Sequence, residues 1–430
     1  MVSTLVSFTT LFSAVLLLMT GVGLLGTLIS LKLTMAGLSA PFIGLIMACY
    51  FVGLIIGSIH VHRVIESVGH IRAFAAFAAV TTAVAMLHGM IATPAVWAVL
   101  RFMAGISTIG LYMVIESWLN ECTEPAARGR VFSMYMIMSY LGMSIGQQLL
   151  NTGDVASREL FFLVGLLISI SLVPVAVTQS IHPQVPQAQT FRMATYFRRA
   201  PVGMLGCFTA GLINSAFYAM GPVFGHQIQM TVAQLSIFMT ATIFGGLLLQ
   251  WPVGIISDRF DRTAVLAVLS LLVAMVSLFV VHASRGSFWL FSGVMAIFGG
   301  LIFTIYPVAV ARAHDLFDRK DIVPVSSCLL LSFGVGAAVG PVGASTVMNL
   351  SGSPHGFLYY AAAVAAAYGA VVWFLRQQEK IEIVPVADQA SFLPMKSTSI
   401  MAAHLDPRSD IDEAAPVGEP KGDLREPSYH

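Results

Sequence analysis

The sequence predicts an all-α integral membrane protein, with twelve transmembrane helices arranged as two pseudo-symmetric six-helix bundles. Three observations predict it. The 430 residues are 57% hydrophobic and only 10% charged, with a mean hydropathy of +0.84, whereas a soluble domain carries about 25% charged residues. Twelve apolar runs each approach the roughly 20 residues that cross about 30 Å of hydrocarbon. The second half of the chain also repeats the pattern of the first.

The runs lie at 7–30, 41–60, 73–92, 95–117, 131–151, 160–179, 202–222, 233–255, 264–283, 287–311, 324–347 and 356–376. The first is too long for a cleaved secretory segment and lacks a charged leader, so it is expected to stay as a helix. Connections after the even-numbered runs hold Arg63, Arg72, Arg128, Arg130, Arg192, Arg198, Arg199, Arg259, Arg262, Arg312, Arg319 and Lys320, and the others hold only Lys32, Arg158 and Arg285. Positive residues favour the cytoplasmic side. Both termini are therefore expected to be cytoplasmic, in a multi-pass protein of the cell (inner or plasma) membrane.

The domain plan that follows is an N-terminal six-helix bundle over 1–179, a cytoplasmic linker over 180–201, a C-terminal six-helix bundle over 202–377 and a cytoplasmic tail over 378–430. The tail turns to Pro, Asp, Glu, Ser and Lys without apolar periodicity, as in "HLDPRSDIDEAAPVGEPKGDLREPSYH", and is expected to be disordered.

Several functions are disfavoured. A net charge of +1 gives no reason to expect a nucleic-acid partner. Cys49, Cys122, Cys207 and Cys328 are scattered without a CxxC, which reads as packing rather than disulfides or metal ligation. "GVGLLG", 21 to 26, matches GxGxxG but lies inside an apolar run with no preceding strand. No GxxxxGK[ST] loop is present, so ATP is not expected to drive the protein directly. No nucleophile, base and orienting acid stand in a recognisable pattern, so neither enzymatic activity nor a cofactor is expected.

The repeat is visible when "GISTIGLYMVIESWLNECTEPAARGRVFSMYMIMSYLGMSIGQ", 105 to 147, is set above "GGLIFTIYPVAVARAHDLFDRKDIVPVSSCLLLSFGVGAAVGP", 299 to 341. Without a gap, Gly105 meets Gly299, Tyr112 meets Tyr306, Gly142 meets Gly336 and Gly146 meets Gly340. The charged loops repeat too. "ESVGH" after run 2 matches "DRFDR" after run 8, so Glu66 aligns with Asp258, Gly69 with Asp261 and His70 with Arg262. A six-plus-six duplication is the architecture in which two halves rock about a central site.

The stretch Gly254, Asp258, Arg259, Asp261, Arg262, of the form G-x3-D-R-x-[GD]-R, resembles the signature loop of the major facilitator superfamily of secondary transporters. Arg101-x3-Gly105 in run 4 is similar to that superfamily's second motif, and "GVGAAVGP" in run 11 extends the likeness. "VIESWLNE", "RGR" and "MYMIMSYLGMSIGQ" resemble a bacterial subgroup whose substrate the motifs do not supply. The N-terminal loop departs from the signature, with His62 for Gly, Glu66 for Asp and only Arg72 beyond Gly69 as a nearby base. Gln147 stands where an exporter-type motif has Pro. The resemblance implies that Asp258 latches the cytoplasmic end of one half to the other, accepting hydrogen bonds at a helix N-terminus, with Arg259 and Arg262 pairing to carboxylates.

Apart from Arg376 at the last position of run 12, only Arg101 and Glu116 are charged within the runs, and charge in a membrane points to a cavity or a partner. At 100° per residue Arg101, Gly105, Thr108, Tyr112 and Glu116 fall within about 60° of one face. Arg101 is a candidate for an anionic group or a packing clamp. Glu116 is a candidate proton carrier or a partner for loop arginines such as Arg130. Run 5 carries a second stripe, Ser133, Tyr140, Ser144, Gln147 and Asn151, beside the small-residue ridge of Gly142 and Gly146. Asn214, Tyr218 and Tyr306, near Pro222 and Pro307, complete the cavity candidates with Tyr112, Tyr140, Thr108, Gln147 and Arg101.

The function expected is secondary transport of a small molecule by alternating access, proton-coupled, with a lean toward efflux of an amphiphilic compound. Uptake or exchange of a small polar metabolite is the near alternative. A non-transporting membrane sensor or scaffold is the alternative of another class. The expected partners are a small-molecule substrate, protons and the lipid bilayer, and the chain is expected to be a monomer.

Overall fold

The computed structural model describes residues 2–124, 127–177, 193–318, 321–378, 383–389, 392–399 and 401–402. The first half folds as α1 (Val2–Met35), α2 (Ala40–Val68), α3 (His70–Met90), α4 (Pro94–Glu121), α5 (Arg128–Gln148) and α6 (Glu159–Val177). A short α7 (Met193–Arg199) precedes the second half, α8 (Pro201–Gln227), α9 (Val232–Arg259), α10 (Arg262–Ala283), α11 (Phe288–His314), α12 (Ile322–Ser351) and α13 (Gly356–Gln377). Among the described residues there is no strand. The helices run several residues beyond the apolar runs, so the charged residues flanking a run often belong to its helix. Arg259, for example, ends α9.

Among the described residues, ten helices are long and apolar enough to cross a membrane by length and composition. The other two fall short for separate reasons. The apolar described stretch of α6 is only Glu159–Val175. In α5, Ser139, Ser144 and Gln147 are buried against protein, and a helix that turns polar groups to its neighbours carries less lipid-facing hydropathy. Both pack within the N-terminal bundle, α5 on α1 and α6 on α1 and α3, so six long helices complete each half.

The duplication is physical. Gly53 of α2 and Gly105 of α4 lie so close that a Cβ on either would collide with the other helix's backbone, at Phe102 and Tyr50. Their counterparts Gly245 of α9 and Gly299 of α11 meet the backbones at Ala296 and Thr242 in the same way. Gly142 and Gly146 press α5 onto the α1 carbonyls of Leu16 and Thr20, while Gly336 and Gly340 press α12 onto the α8 carbonyls of Phe208 and Leu212. Small residues let membrane helices approach closely enough for backbone contact. Each of these glycines therefore sets a helix crossing, and each crossing occurs twice.

The halves meet through α2 with α12, α5 with α9, and α1 with α8. We call the face bearing the end of α13 the tail side and the opposite face the far side. On the far side the halves are joined by hydrogen bonds. Gln148 Nε2 donates to Thr240 Oγ1 at 2.6 Å, Asn151 Nδ2 to Ser236 Oγ at 2.7 Å and Ser30 Oγ to the Ala219 carbonyl at 2.5 Å. Gly44 adds tight packing against Pro341 and Ser345.

Within the expected linker, α7 docks through Arg199, 4.9 Å from the Phe317 ring centroid, and through the edge of Tyr196 on the same ring. The tail is not disordered throughout. Residues 392–399 run between the halves, with Met395, Thr398 and Ser399 buried, followed by buried Met401 and Ala402. The segment "FLPMKSTSI" carries enough apolar surface and enough matched polar groups to offset the cost of ordering it. Composition averaged over the whole tail hides this. The acidic, Pro-rich run from residue 404 lies outside the described residues.

Candidate functional site

A cavity lies between the halves, lined by α1, α2, α4, α5, α8, α11, α12 and the tail. Six of the eight expected cavity residues line it: Arg101, Tyr112, Tyr140, Asn214, Tyr218 and Tyr306. Thr108 and Gln147 do not. Gln147 is buried in the α1–α5 contact, where its Nε2 donates to the Gly23 carbonyl at 3.0 Å and its Oε1 accepts from Thr27 Oγ1 at 2.7 Å. It braces a helix pair just behind the cavity wall. Thr108 is likewise buried, beside the Tyr50 hydroxyl.

The walls are aromatic. Phe303 of α11 stands 5.6 Å from Tyr218 and 6.1 Å from Tyr140, and Phe333 lies 5.2 Å from Tyr306. Gln250 Nε2 donates to Tyr140 Oη at 2.7 Å, tying α9 to α5 across the halves. Tyr112 Oη donates to the Met19 sulfur at 3.6 Å, tying α4 to α1.

Arg101 is 4% exposed and stacks on Tyr50, 4.3 Å from the ring centroid. Its Nε has no hydrogen-bond partner among the described residues, and neither does Asn214 Oδ1. No Asp or Glu is among the lining residues. Burying an ion costs several kcal/mol even after relaxation, and a desolvated cation–π contact returns about 2 kcal/mol. Arg101 is therefore under-compensated where it stands.

A second cation comes from the tail. Lys396 lines the same cavity, directs its ammonium to the Met143 sulfur and lies 5.8 Å from the Tyr140 ring centroid. Burial pulls it down to about 8, so it remains mostly charged at neutral pH.

Glu116 departs from the expectation of a partner for Arg130. It is fully buried, because α4 continues to Glu121 and the tail covers it. Its Oε1 accepts from Tyr135 Oη at 2.7 Å, and its Oε2 accepts a short hydrogen bond from Ser399 Oγ. Arg130 is exposed.

The signature loop holds the tail. Phe392 packs its ring on Gly254, where any Cβ would collide with it, and donates its backbone N–H to Asp258 Oδ1 at 2.9 Å. Arg262 is fully buried and donates to the same Asp258 oxygen at 2.7 Å, to Asp315 in a short ion pair and to the Ala311 carbonyl at 3.5 Å. Asp261 caps α10 by accepting from the Thr263 N–H at 3.0 Å and pairs with Arg376 at 3.2 Å. Arg259 is exposed. Among the described residues, the partners of Asp258 belong to its own half and to the tail.

In the first half Gly69 turns the chain between α2 and α3 at φ 83°, a conformation that favours glycine. Glu66 and Arg72 are exposed. His70 meets Ser117 Oγ at 2.9 Å. His70 and Arg262, aligned by the repeat, thus perform the same task, each a buried group that fastens the loop to the fourth helix of its half.

Sequence reasoning missed Tyr50, Phe303, Gln250 and Lys396. A periodicity argument centred on charge passes over Tyr50 and Phe303 in apolar helices. The signal for Lys396 was present, a lone base inside the apolar patch "FLPMKSTSI".

Two helical halves about a buried cavity, sealed on one face and entered on the other, define a membrane transporter. The family model described as Major Facilitator Superfamily matches residues 11–319 and 203–409, and the chain belongs to that superfamily. It is 28% identical over 343 residues to "Uncharacterized MFS-type transporter YcaD" of Salmonella newport (strain SL254), covering 79% of this chain and 88% of that one. The same figures hold for the protein of that name from Salmonella typhi. A mutant of the nucleoside transporter NupG superposes with a TM-score of 0.71 at 14% identity, covering 87% of this chain and 100% of that chain. A bacterial homolog to the human lysosomal transporter Spinster, in an inward-facing and occupied conformation, superposes with a TM-score of 0.69 at 14% identity, covering 89% and 98%. At that identity the likeness shows the fold alone.

Proposed function

We propose that the chain is a proton-coupled secondary transporter that exports an amphiphilic small molecule by alternating access around the central cavity. The observation that carries this reading is the asymmetry of the cavity, joined across the far side by Gln148, Asn151 and Ser30 and entered by the tail from the other side. The arginine bias of the connections makes the tail side cytoplasmic, in an inner or plasma membrane, so this arrangement is inward-facing. Glu116 is the proton carrier, since an ionisable residue within a helical bundle marks an ion pathway or proton relay by default. Asp258 is the latch, engaging the other half once the tail leaves it as the tail side closes. The aromatic walls suit the apolar body of an amphiphile. A monomer suffices, because each chain holds both halves.

The test is pH-dye quenching in proteoliposomes with an imposed proton gradient, challenged with amphiphilic ions, sugars, amino acids and organic acids. A compound-dependent proton flux absent from empty liposomes is the expected result. Silence across the panel, from protein that is folded and inserted, would remove proton coupling from the reading.

A further inference from the structure

Among the described residues, the cavity holds charge of one sign. Arg101 lines it with an unpartnered Nε while 96% buried, Lys396 enters it from the tail with a sulfur and a ring as neighbours, and no carboxylate is among its lining residues. Glu116 accepts from Tyr135 and Ser399 and is not among those residues. An intramembrane cation normally pairs with a carboxylate or with carbonyls. What is missing here is an anion.

We propose that the ligand of the central cavity is an organic anion with an aromatic or similarly broad apolar body, whose acidic group is countered by Arg101 and by Lys396 of the tail. This inference rests on reading the cavity as the substrate site. Arg supplies a planar fork that matches a carboxylate or phosphate. Lys supplies a point charge on a flexible stem, suited to a group that arrives with a mobile segment. Tyr50, Tyr140, Tyr218 and Phe303 provide faces for the apolar body. Asn214 Oδ1 awaits a donor, so a ligand carrying a hydroxyl or amine on that body fits better than a bare ring. The space remains with residues 395–397 already in place among the lining, so the ligand and the tail bind together and the tail completes the site. A cationic amphiphile would enter against two like charges and be disfavoured by their repulsion.

The experiment uses the purified full-length chain in detergent, titrated calorimetrically with three probes of one shape: 2-naphthoate, 2-naphthylmethanol and 2-naphthylmethylammonium. We expect the carboxylate to bind at least about tenfold more tightly than the other two, a difference of about 1.4 kcal/mol. Arg101→Gln should abolish that preference, and Lys396→Ala should weaken the carboxylate alone. Lys396 lies outside every helix, so its variant keeps the test open if Arg101→Gln fails to fold. Equal or tighter binding of the ammonium, no binding of the carboxylate, or carboxylate binding unchanged by Lys396→Ala overturns the proposal. Carboxylate binding without any flux in liposomes leaves it standing and removes the transport reading. Flux of a cation without carboxylate binding does the reverse.

Discussion

The backbone N–H of Phe392 donates to the carboxylate of Asp258 at 2.9 Å while its ring covers Gly254, so the two most specific positions of the signature loop form the seat of the chain's own tail. In a background freed of Cys49, Cys122, Cys207 and Cys328, Met143→Cys with Lys396→Cys is expected to be cross-linked by a bifunctional thiol reagent as long as the two side chains it replaces, because Lys396 reaches the Met143 sulfur. Adding Gly254→Leu should lower the yield by filling the place of the Phe392 ring. The same yield with and without it would show that the tail is held elsewhere.

Glu116→Gln removes the proposed proton carrier and retains the shape. Gradient-driven transport is expected to fall to the level of empty liposomes, while exchange of labelled for unlabelled substrate continues. If both persist, Glu116 carries no proton. If both vanish and the variant unfolds at a lower temperature, its bonds to Tyr135 and Ser399 are structural.

The repeated crossings should be equally intolerant in the two halves. Gly53→Val and Gly245→Val each force a side chain into a facing backbone, and overpacking costs about 1–3 kcal/mol. Similar drops in detergent unfolding temperature are expected from both. Gly293→Ala, where nothing lies within 4 Å, should hold or raise stability by up to about 1 kcal/mol, as Ala replaces Gly in a helix. A large effect in one half alone would sink the symmetry.

Gln148→Ala with Asn151→Ala removes two side chains that bridge the halves on the far side. Such bonds average about 0.6 kcal/mol in a membrane protein, so the pair should shift the far-side open population several-fold. A cysteine at Thr27, which lines the cavity, should then react faster with an impermeant thiol reagent added to the far side. No change would mean that the seal is made by Gly44 packing and Ser30.

Much of this was legible in the sequence. Helix count, the two bundles, the alignment of His70 with Arg262 and the small-residue ridges all follow from hydropathy and repetition, because lipid imposes one solution on the backbone. The cavity was legible on α4, where Arg101 and Tyr112 share a face. It was less so on α5, where Tyr140 faces the void while Gln147 turns into the α1 contact. A stripe gives a direction around one helix, and whether a neighbouring helix already fills that direction is a tertiary fact. The tail was hidden for a different reason, since eight residues of docking sequence were averaged with a longer polar run.

Phe392 covers Gly254 and donates to Asp258 Oδ1, so under the latch reading the tail occupies the seat that a helix of the other half would take when the tail side closes. The tail is a tethered competitor, joined to α13 at Gln377, and a tether raises the effective concentration of the segment it carries. Lengthening the chain between Gln377 and Phe392 would dilute it at its own seat. The open-to-closed balance of the carrier is thus adjustable through connector length, without altering a residue of any helix.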